Sequence, residues 1–509
     1  MNIYEAKKQI SSAIQAYRTR DAYGRPVIPM HRQRPIFLIG APGIGKTAIM
    51  EQIAQEMGIA LVSYSMTHHT RQSALGLPFI VEKEYDGEKF RVSEYTMSEI
   101  IGAIYEKMEK SGVKEGILFL DEINCVSETL APAMLQFLQY KVFGQHRVPD
   151  GWIVVTAGNP PEYNQSVREF DMVTWDRLKR IDVEANYDVW HTWAMDQGVH
   201  PAVTSYLDIR KGDFYQVEST VDGKTFVTPR GWVDLSDMIR LYEQLNLKVD
   251  EDLVGQYLQN AKIAKQFSHY YDLWQKYSSD YQVDQILSGK VPEAITQRAQ
   301  AAKFDERISL IALLMDAMLG EVKPVMSQRA MLEMVQKQLT NVRRICMSRR
   351  ADPLQLMRNE IDSDRTKLKQ GQMGGMLSQE QEGIYFQVIS YLETCLSHME
   401  GLEQQKMLDI MKADFDASTK AVKKQAQGVK KKMENLFQFA ENTFGEGQEM
   451  LIIVTELTAA EATARFISQY GCDAYFRHNQ SLLFYERQLN VIQEIDKLEA
   501  SIDAEDSAQ

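Results

Sequence analysis

Residues 40–47 of this 509-residue chain, GAPGIGKT, match the phosphate-loop pattern G-x-x-x-x-G-K-[ST] in full. An apolar run at residues 36–39 predicts a buried strand before the loop, and the periodic AIMEQIAQEMG predicts a helix after it. Backbone N–H groups in such a loop wrap phosphates at a helix N-terminus. A chance match in a glycine-rich loop is the alternative, and the flanking elements argue against it. The predicted nucleotide contacts are Gly40, Ala41, Pro42, Gly43, Ile44, Gly45, Lys46, Thr47 and Ala48.

Two adjacent carboxylates follow a second apolar strand, in GILFLDEIN at residues 116–124. Ligands of open α/β sheets bind at the carboxyl ends of the strands, so we expect Asp121 and Glu122 to face the phosphates. Thr47 and Asp121 are the predicted Mg²⁺ ligands. Glu122 is predicted to orient and deprotonate the attacking water. The Asp-Glu pair favours an ATPase over a GTPase, in which the equivalent strand normally lacks the glutamate.

A third apolar strand, WIVVTAGNP at residues 152–160, ends on Asn159. Taken alone, this asparagine could equally form a turn before Pro160. Because it follows two nucleotide-binding motifs, we interpret it as a polar side chain beside the γ-phosphate that helps to position the water.

The order of phosphate loop, acidic strand and polar-tipped strand resembles that of the AAA+ ATPases. The resemblance implies an α/β fold, in which a P-loop core with helices on both faces of a parallel sheet precedes an α-helical lid. TWDRLKRIDVEA at residues 174–185 is similar to the family's arginine-finger region, with Arg177 as the best match and Arg180 in reserve. VTPRGWVDLSDMI at 227–239 is similar to sensor 2, with Arg230 at the start of a lid helix. A surface salt bridge is the alternative for each arginine, and whether Arg230 acts in cis or in trans stays open.

Among AAA+ proteins, SALGLP at residues 73–78 and LDEINCVSETLAPAMLQFLQYKVFGQHRVPDGW at 120–152 resemble segments of the MoxR-type ATPases. These belong to the group with a helix-2 insert and a pre-sensor-1 hairpin. Residues 71–92 predict a β-hairpin turning at Asp86-Gly87, where the helix-2 insert falls. The resemblance implies a homo-oligomeric ring, by analogy a hexamer. It also implies chaperone-like remodelling or maturation of a protein client with a von Willebrand A domain partner. A short pre-sensor-1 turn and a large C-terminal region depart from the common MoxR pattern.

The pattern of apolar residues predicts four regions, the third and fourth forming a mostly helical C-terminal extension. A core at 1–186 contains the hairpin near 78–94, and a helical lid at 187–300 contains a second hairpin near 213–228, turning at Asp222-Gly223. A helical extension at 301–442 has a flexible segment near 369–382. A small α/β or helical subdomain at 443–509 has a strand at 450–454, a helix at 482–498 and an acidic tail.

Charge and composition limit the classes of function. The net charge of −13 argues against general nucleic-acid affinity, and we expect no nucleic-acid partner. Six lysines at 420–432 favour a solvated helix face over a basic binding patch. Four scattered cysteines, no apolar run of 18 residues and a polar N-terminus predict a cytoplasmic protein without a membrane span. A nucleic-acid-associated motor and a slow, nucleotide-gated scaffold remain the alternatives to protein remodelling.

Overall fold

A computed structural model describes residues 1–163, 167–168, 170–220, 223–349 and 351–480. The first 183 residues contain α1 (Ile3–Arg18), β1 (Ile36–Gly40), α2 (Lys46–Met57), β2 (Ala60–Ser65), α3 (Arg71–Leu75), β3 (Pro78–Tyr85), β4 (Glu88–Tyr95), α4 (Glu99–Ser111), β5 (Gly116–Asp121), α5 (Ala131–Tyr140), β6 (Val142–Phe143), β7 (His146–Arg147), β8 (Trp152–Gly158), α6 (Met172–Trp175) and β9 (Lys179–Val183).

The remaining elements are mostly helical. They are α7 (Tyr187–Gln197), α8 (Pro201–Ile209), β10 (Gln216–Thr220), β11 (Gly223–Val227), α9 (Pro229–Gln244), α10 (Glu251–Tyr257), α11 (Ala261–Tyr281), α12 (Val283–Leu287), α13 (Glu293–Ala301), α14 (Phe304–Arg349), α15 (Pro353–Gly374), α16 (Gln379–Met399), α17 (Gln404–Phe444), α18 (Gln448–Ala459) and α19 (Glu461–Tyr470).

The chain divides into two compact units. Unit 1 contains residues 1–189, 228–231 and 334–411, and unit 2 contains residues 190–227, 232–333 and 412–509. In the described part of the chain, no helix combines the length and the apolar character that crossing a bilayer requires.

A parallel five-stranded sheet in the order β2-β5-β8-β1-β9 forms the centre of unit 1. The apolar runs that predict buried strands are buried as expected: every residue of β8 is buried, as are the first five of β5. Sheet residues such as Leu118 and Val154 share a core cluster with Ile104 of α4 and Phe137 of α5. The sheet, its flanking helices and the helical region that follows confirm the predicted fold class.

Two hairpins leave this sheet. In the first, β3 and β4 pair antiparallel from Pro78↔Tyr95 to Tyr85↔Glu88. The predicted Asp86-Gly87 turn has φ of 52° and 83°, the two positive values of a type I′ turn. Val81 pairs with Val92, so apolar side chains share one face as the alternation predicts. In the second hairpin, the two-residue strands β6 and β7 lie directly before β8.

The helices α15 and α16 form a hairpin in unit 1, and α15 packs against α4. The segment 369–382, predicted as a loop, is largely helical: α15 continues to Gly374 and α16 starts at Gln379. Close packing explains this. A Cβ atom on Gly371 would lie 2.4 Å from the Leu377 side chain, so the glycine lets the connection fold back onto the helix. Gly371 therefore permits a tight contact within the helix, whereas Gly375, with φ of 67°, caps the end of α15.

The lid helices of unit 2 surround an aromatic core. The Trp232 and Phe267 rings lie 5.3 Å apart in an edge-on arrangement, and Tyr206 meets Phe267 at 5.3 Å and 90°. All three side chains are buried. The predicted second hairpin is present as β10 and β11, although Asp222 of its turn lies outside the described residues.

The predicted strand at 450–454 is wrong, because these residues form part of α18. Its buried apolar side chains are Met450, Ile453, Val454 and Leu457, and they follow the i, i+3, i+4, i+7 spacing of one helix face. A short apolar run does not distinguish a strand from a buried helix segment. A last helical stretch covers 473–480, whereas the predicted helix at 482–498 and the acidic tail lie outside the described residues.

Candidate nucleotide-binding and catalytic site

Lys46 begins α2 directly after the phosphate loop, and its side chain is only 7% exposed. Its Nζ donates to the carbonyl oxygens of Gly40 and Ala41, each at 2.7 Å, and to Asn159 Oδ1 at 3.0 Å. β1 leads into the phosphate loop, and β8 is its neighbour in the sheet. Asn159, which follows β8, therefore lies beside the loop. The structure therefore brings the predicted lysine and the predicted polar strand tip together at one point.

The ammonium group of Lys46 has an altered proton affinity. Burial, with a smaller contribution from the charge of Arg230, lowers the pKa of Lys46 to about 8. The carboxylates of Asp121 and Glu122 oppose this effect only in part. Phosphate oxygens placed beside the nitrogen would favour its charged form.

ATP binding should therefore weaken at alkaline pH. The free protein loses the Lys46 proton above about pH 8, whereas bound phosphate keeps it, so binding then requires proton uptake. The ATP association constant should be constant up to that pH and then fall by up to about tenfold per pH unit. Calorimetric titrations between pH 7.5 and 9.5 would measure this. A Lys46→Arg variant, whose guanidinium stays charged, is the control, and a wild-type constant unchanged to pH 9.5 would contradict the assignment.

The predicted Mg²⁺ ligands lie next to each other. Thr47 Oγ1 donates to Asp121 Oδ2 at 3.1 Å, which joins the first turn of α2 to the end of β5. A hydroxyl and a carboxylate oxygen are ligands that Mg²⁺ binds beside substrate phosphates. The Thr47 hydroxyl and the Asp121 carboxylate therefore fit Mg²⁺ as ligands.

Glu122 occupies an unusual backbone conformation at the start of the turn after β5. Its φ is 56°, in the left-handed region that residues other than glycine adopt infrequently. Its backbone N–H donates to Asp121 Oδ1 at 2.9 Å. Its Oε2 accepts hydrogen bonds from Ser65 Oγ at 3.1 Å and Thr67 Oγ1 at 3.2 Å. The carboxylate is thus held by two hydroxyls at the end of β2.

Sequence reasoning missed Ser65 and Thr67. They lie at or just after the carboxyl end of β2, the strand position at which Asp121 and Asn159 also stand, and that position was the available signal. β2 is the neighbour of β5 in the sheet, and their Ser65↔Asp121 register places the Ser65 hydroxyl beside the Glu122 carboxylate.

Asn124 is a third residue that sequence reasoning missed. It is buried, and its Nδ2 donates to the Asn159 carbonyl at 2.8 Å, which fixes the end of β8. The approach is close: a Cβ atom on Gly158 would lie 2.4 Å from Asn124 Oδ1. A larger residue at position 158 would therefore displace Asn124, which positions the backbone that presents Asn159.

The two finger candidates differ in their surroundings. Arg180 Nε donates to Asp182 at 2.9 Å, and its guanidinium lies over the Trp175 ring at 4.9 Å. Arg177 is exposed, and within the described residues its guanidinium makes no ion pair. The structure of one chain thus leaves Arg177 the more available of the two, which is the order that the sequence predicts.

Arg230 lies in the first turn of α9, and its backbone N–H donates to the Gly43 carbonyl of the phosphate loop at 3.2 Å. Its charge also acts on Lys46 of the same chain. This proximity favours action in cis, in which Arg230 contacts the nucleotide bound by its own subunit.

Comparison with known proteins follows this geometry. The family described as AAA domain (dynein-related subfamily) matches residues 35–178. Midasin of Giardia intestinalis is 23% identical over 227 residues, which are 42% of this chain and only 4% of midasin.

Among solved structures, a candidate ATPase from Cytophaga hutchinsonii has 18% identity and a TM-score of 0.22, covering 36% of this chain and 52% of that one. A mutant of Thermotoga maritima RuvB has 15% identity and a TM-score of 0.27, covering 51% of this chain and 69% of that one. The family match spans the phosphate loop, the acidic strand and Asn159. Over residues 35–178 the chain is thus similar to an AAA domain, and the matched residues contain the motifs expected of an ATPase.

Proposed function

We propose that this chain is a MoxR-like AAA+ ATPase that assembles into a hexameric ring. Hydrolysis in the ring would drive chaperone-like remodelling or maturation of a protein client, together with a von Willebrand A domain partner. The observation that carries the proposal is the exposed β3–β4 hairpin, which stands in the connection between β2 and α4 of an ATPase core. AAA+ ATPases usually act as rings, and a projecting element near the site is suited to transmitting its state to a client.

The site residues divide the reaction among them. Thr47 and Asp121 would hold Mg²⁺, which neutralises charge on the β- and γ-phosphates when it is bound. Glu122 would orient the water and accept its proton, and Asn159 would help to fix that water. Arg177 of a neighbouring subunit would stabilise the charge on the γ-phosphoryl group.

The hairpin has the surface of a protein-binding element. Phe79, Ile80 and Phe90 are 43%, 73% and 46% exposed, so both of its faces carry uncovered apolar side chains. Each strand has eight residues and therefore extends roughly 26 Å. Exposed apolar patches on a polar background are typical of interaction sites.

Removing the hairpin should separate ATP turnover from client handling. In a variant with residues 80–91 replaced by a short Gly-Ser linker, we expect ATPase activity within about twofold of wild type, because the sheet and its strand ends are untouched. Complementation of a deletion strain should be lost. Ile80→Ser with Phe90→Ser should reproduce this loss, and Glu84→Gln with Glu88→Gln, at the polar tip, should not. Joint loss of folding and ATPase activity in the linker variant would instead show a purely structural role.

The proposal as a whole is tested by capture from the native host. The Glu122→Gln chain should retain ATP and hold its partners, so mass spectrometry of the purified complex should find a von Willebrand A domain protein. Its absence would count strongly against a MoxR-like function. Tight, ATP-dependent DNA binding at moderate salt would favour the nucleic-acid motor, and full biological activity of Glu122→Gln would favour the scaffold.

We also propose that the protein works in the cytoplasm. All four cysteines, Cys125, Cys346, Cys395 and Cys472, are free thiols, as a reducing compartment would keep them.

A further inference from the structure

Three side chains of metal-ligand type converge within unit 2. His191 Nε2 lies 3.5 Å from Glu456 Oε1 and 3.6 Å from Asp208 Oδ2. The three ligand atoms all lie within 4.8 Å of one another. The His191 and Glu456 side chains are each 13% exposed and that of Asp208 is 32% exposed, so the group is largely shielded from solvent.

Three separate helices supply these residues. His191 lies on α7, Asp208 on α8 and Glu456 on α18. Further contacts within unit 2 fix the C-terminal helices in place. Asp196 Oδ1 accepts from the Glu461 backbone N–H at the start of α19, at 2.7 Å, and Arg307 pairs with Glu449 at 2.8 Å. The positions of these helices are therefore fixed by contacts other than those among His191, Asp208 and Glu456.

The cluster borders a cavity of about 30 Å³. One water molecule needs roughly 10–15 Å³ by this measure, so the space accommodates an ion with a water ligand. Much of the remaining wall is apolar and includes Met195, Ile308, Ile311, Met315 and Leu319. Apolar surroundings make burial of the two carboxylates costly and increase the benefit of a bound cation.

We propose that His191, Asp208 and Glu456 bind a divalent first-row transition ion of the Zn²⁺ class, which fastens α18 of the C-terminal region to lid helices α7 and α8. One imidazole nitrogen and two carboxylate oxygens are ligands that Zn²⁺ accepts, whereas Mg²⁺ and Ca²⁺ prefer oxygen alone. Zinc bonds of about 2.0–2.2 Å in a tetrahedron place ligand atoms roughly 3.3–3.6 Å apart. The two His191 distances lie in this range, and the cavity leaves the fourth position to water. This inference does not rest on the proposed remodelling function.

The test measures metal binding by the full chain. All samples carry Asp121→Asn, which removes the cation position at the phosphate loop. After EDTA treatment, equilibrium dialysis against Zn²⁺ with elemental analysis should give one tightly bound ion per chain. Asp208→Asn and Glu456→Gln should each raise the Zn²⁺ dissociation constant at least tenfold. Asp316→Asn is the matched control, because Asp316 lines the same cavity outside the three-residue group and should leave the constant unchanged.

A second readout protects the test against misfolded variants. Co²⁺ added to the metal-free parent should give the intense visible absorption of a four-coordinate site, and Zn²⁺ should abolish it. Absence of saturable Zn²⁺ binding in the parent would overturn the proposal. Equal binding by the parent, Asp208→Asn and Glu456→Gln would also overturn it, and would leave the cluster as a hydrogen-bonded ion group that only joins the helices.

Discussion

Replacing Glu122 by glutamine should lower kcat for ATP hydrolysis by roughly a hundredfold or more, since general-base catalysis contributes about 10²–10⁴. Glutamine preserves the size of the side chain and accepts hydrogen bonds, so Ser65 and Thr67 keep a partner. It cannot take a proton from water. ATP affinity should stay within about threefold, because Lys46 and the phosphate loop are unchanged.

Steady-state phosphate release and equilibrium ATP binding measure the two quantities separately. Glu128→Gln is a suitable control, because Glu128 is an exposed carboxylate six residues along the chain that pairs with Arg168 at 2.7 Å. It should leave kcat within about twofold of wild type. A Glu122→Gln enzyme with more than a third of wild-type kcat would show that another group activates the water.

Replacing Arg177 by alanine should reduce kcat by about a thousandfold, the lower end of the range for arginine fingers. The guanidinium is exposed and, within the described ranges, without an ion pair, which suits a residue that reaches a neighbouring subunit. Arg180→Ala should stay within about threefold, because Asp182 and the Trp175 ring engage that side chain in its own chain.

A mixing experiment distinguishes a finger acting in trans from one acting in cis. Arg177→Ala subunits keep Glu122, and Glu122→Gln subunits keep Arg177, so a mixed ring contains some interfaces with both residues intact. Phosphate release by the mixture should exceed that of either inactive variant. Activity no higher than that of the separate proteins would contradict a shared site. A larger loss of kcat in Arg180→Ala than in Arg177→Ala would show that Arg180 is the arginine finger.

The parts of the site that are contiguous in sequence could be predicted from it. Lys46, Thr47 and Asp121 belong to short motifs whose residue types follow from phosphate and Mg²⁺ chemistry, and the structure places them together. The β3–β4 hairpin could be predicted because alternation and an Asp-Gly turn are local signals. The parallel sheet followed from apolar strands alternating with helix-periodic segments.

Contacts that depend on the order of strands or on distant segments could not be predicted. Ser65 reaches Glu122 only because β2 pairs with β5, which no local pattern specifies. Glu456 meets His191 across 265 positions of sequence (456 − 191). The secondary structure of residues 450–454 is ambiguous for the same reason. Their short apolar run fits a strand or a helix, and in the structure it forms a helix with one buried face.

The β3–β4 hairpin, a two-stranded ribbon, affects the solubility of this protein. A two-stranded ribbon has two open edges, and in the described part of the chain no third strand pairs with either. Open edges beside exposed Ile80 and Phe90 are templates for strand addition between copies. Charged side chains oppose this: Glu82, Lys83, Glu84, Glu88, Lys89 and Arg91 alternate along the ribbon. These charges oppose aggregation, so salt that screens them should lower the solubility of the protein.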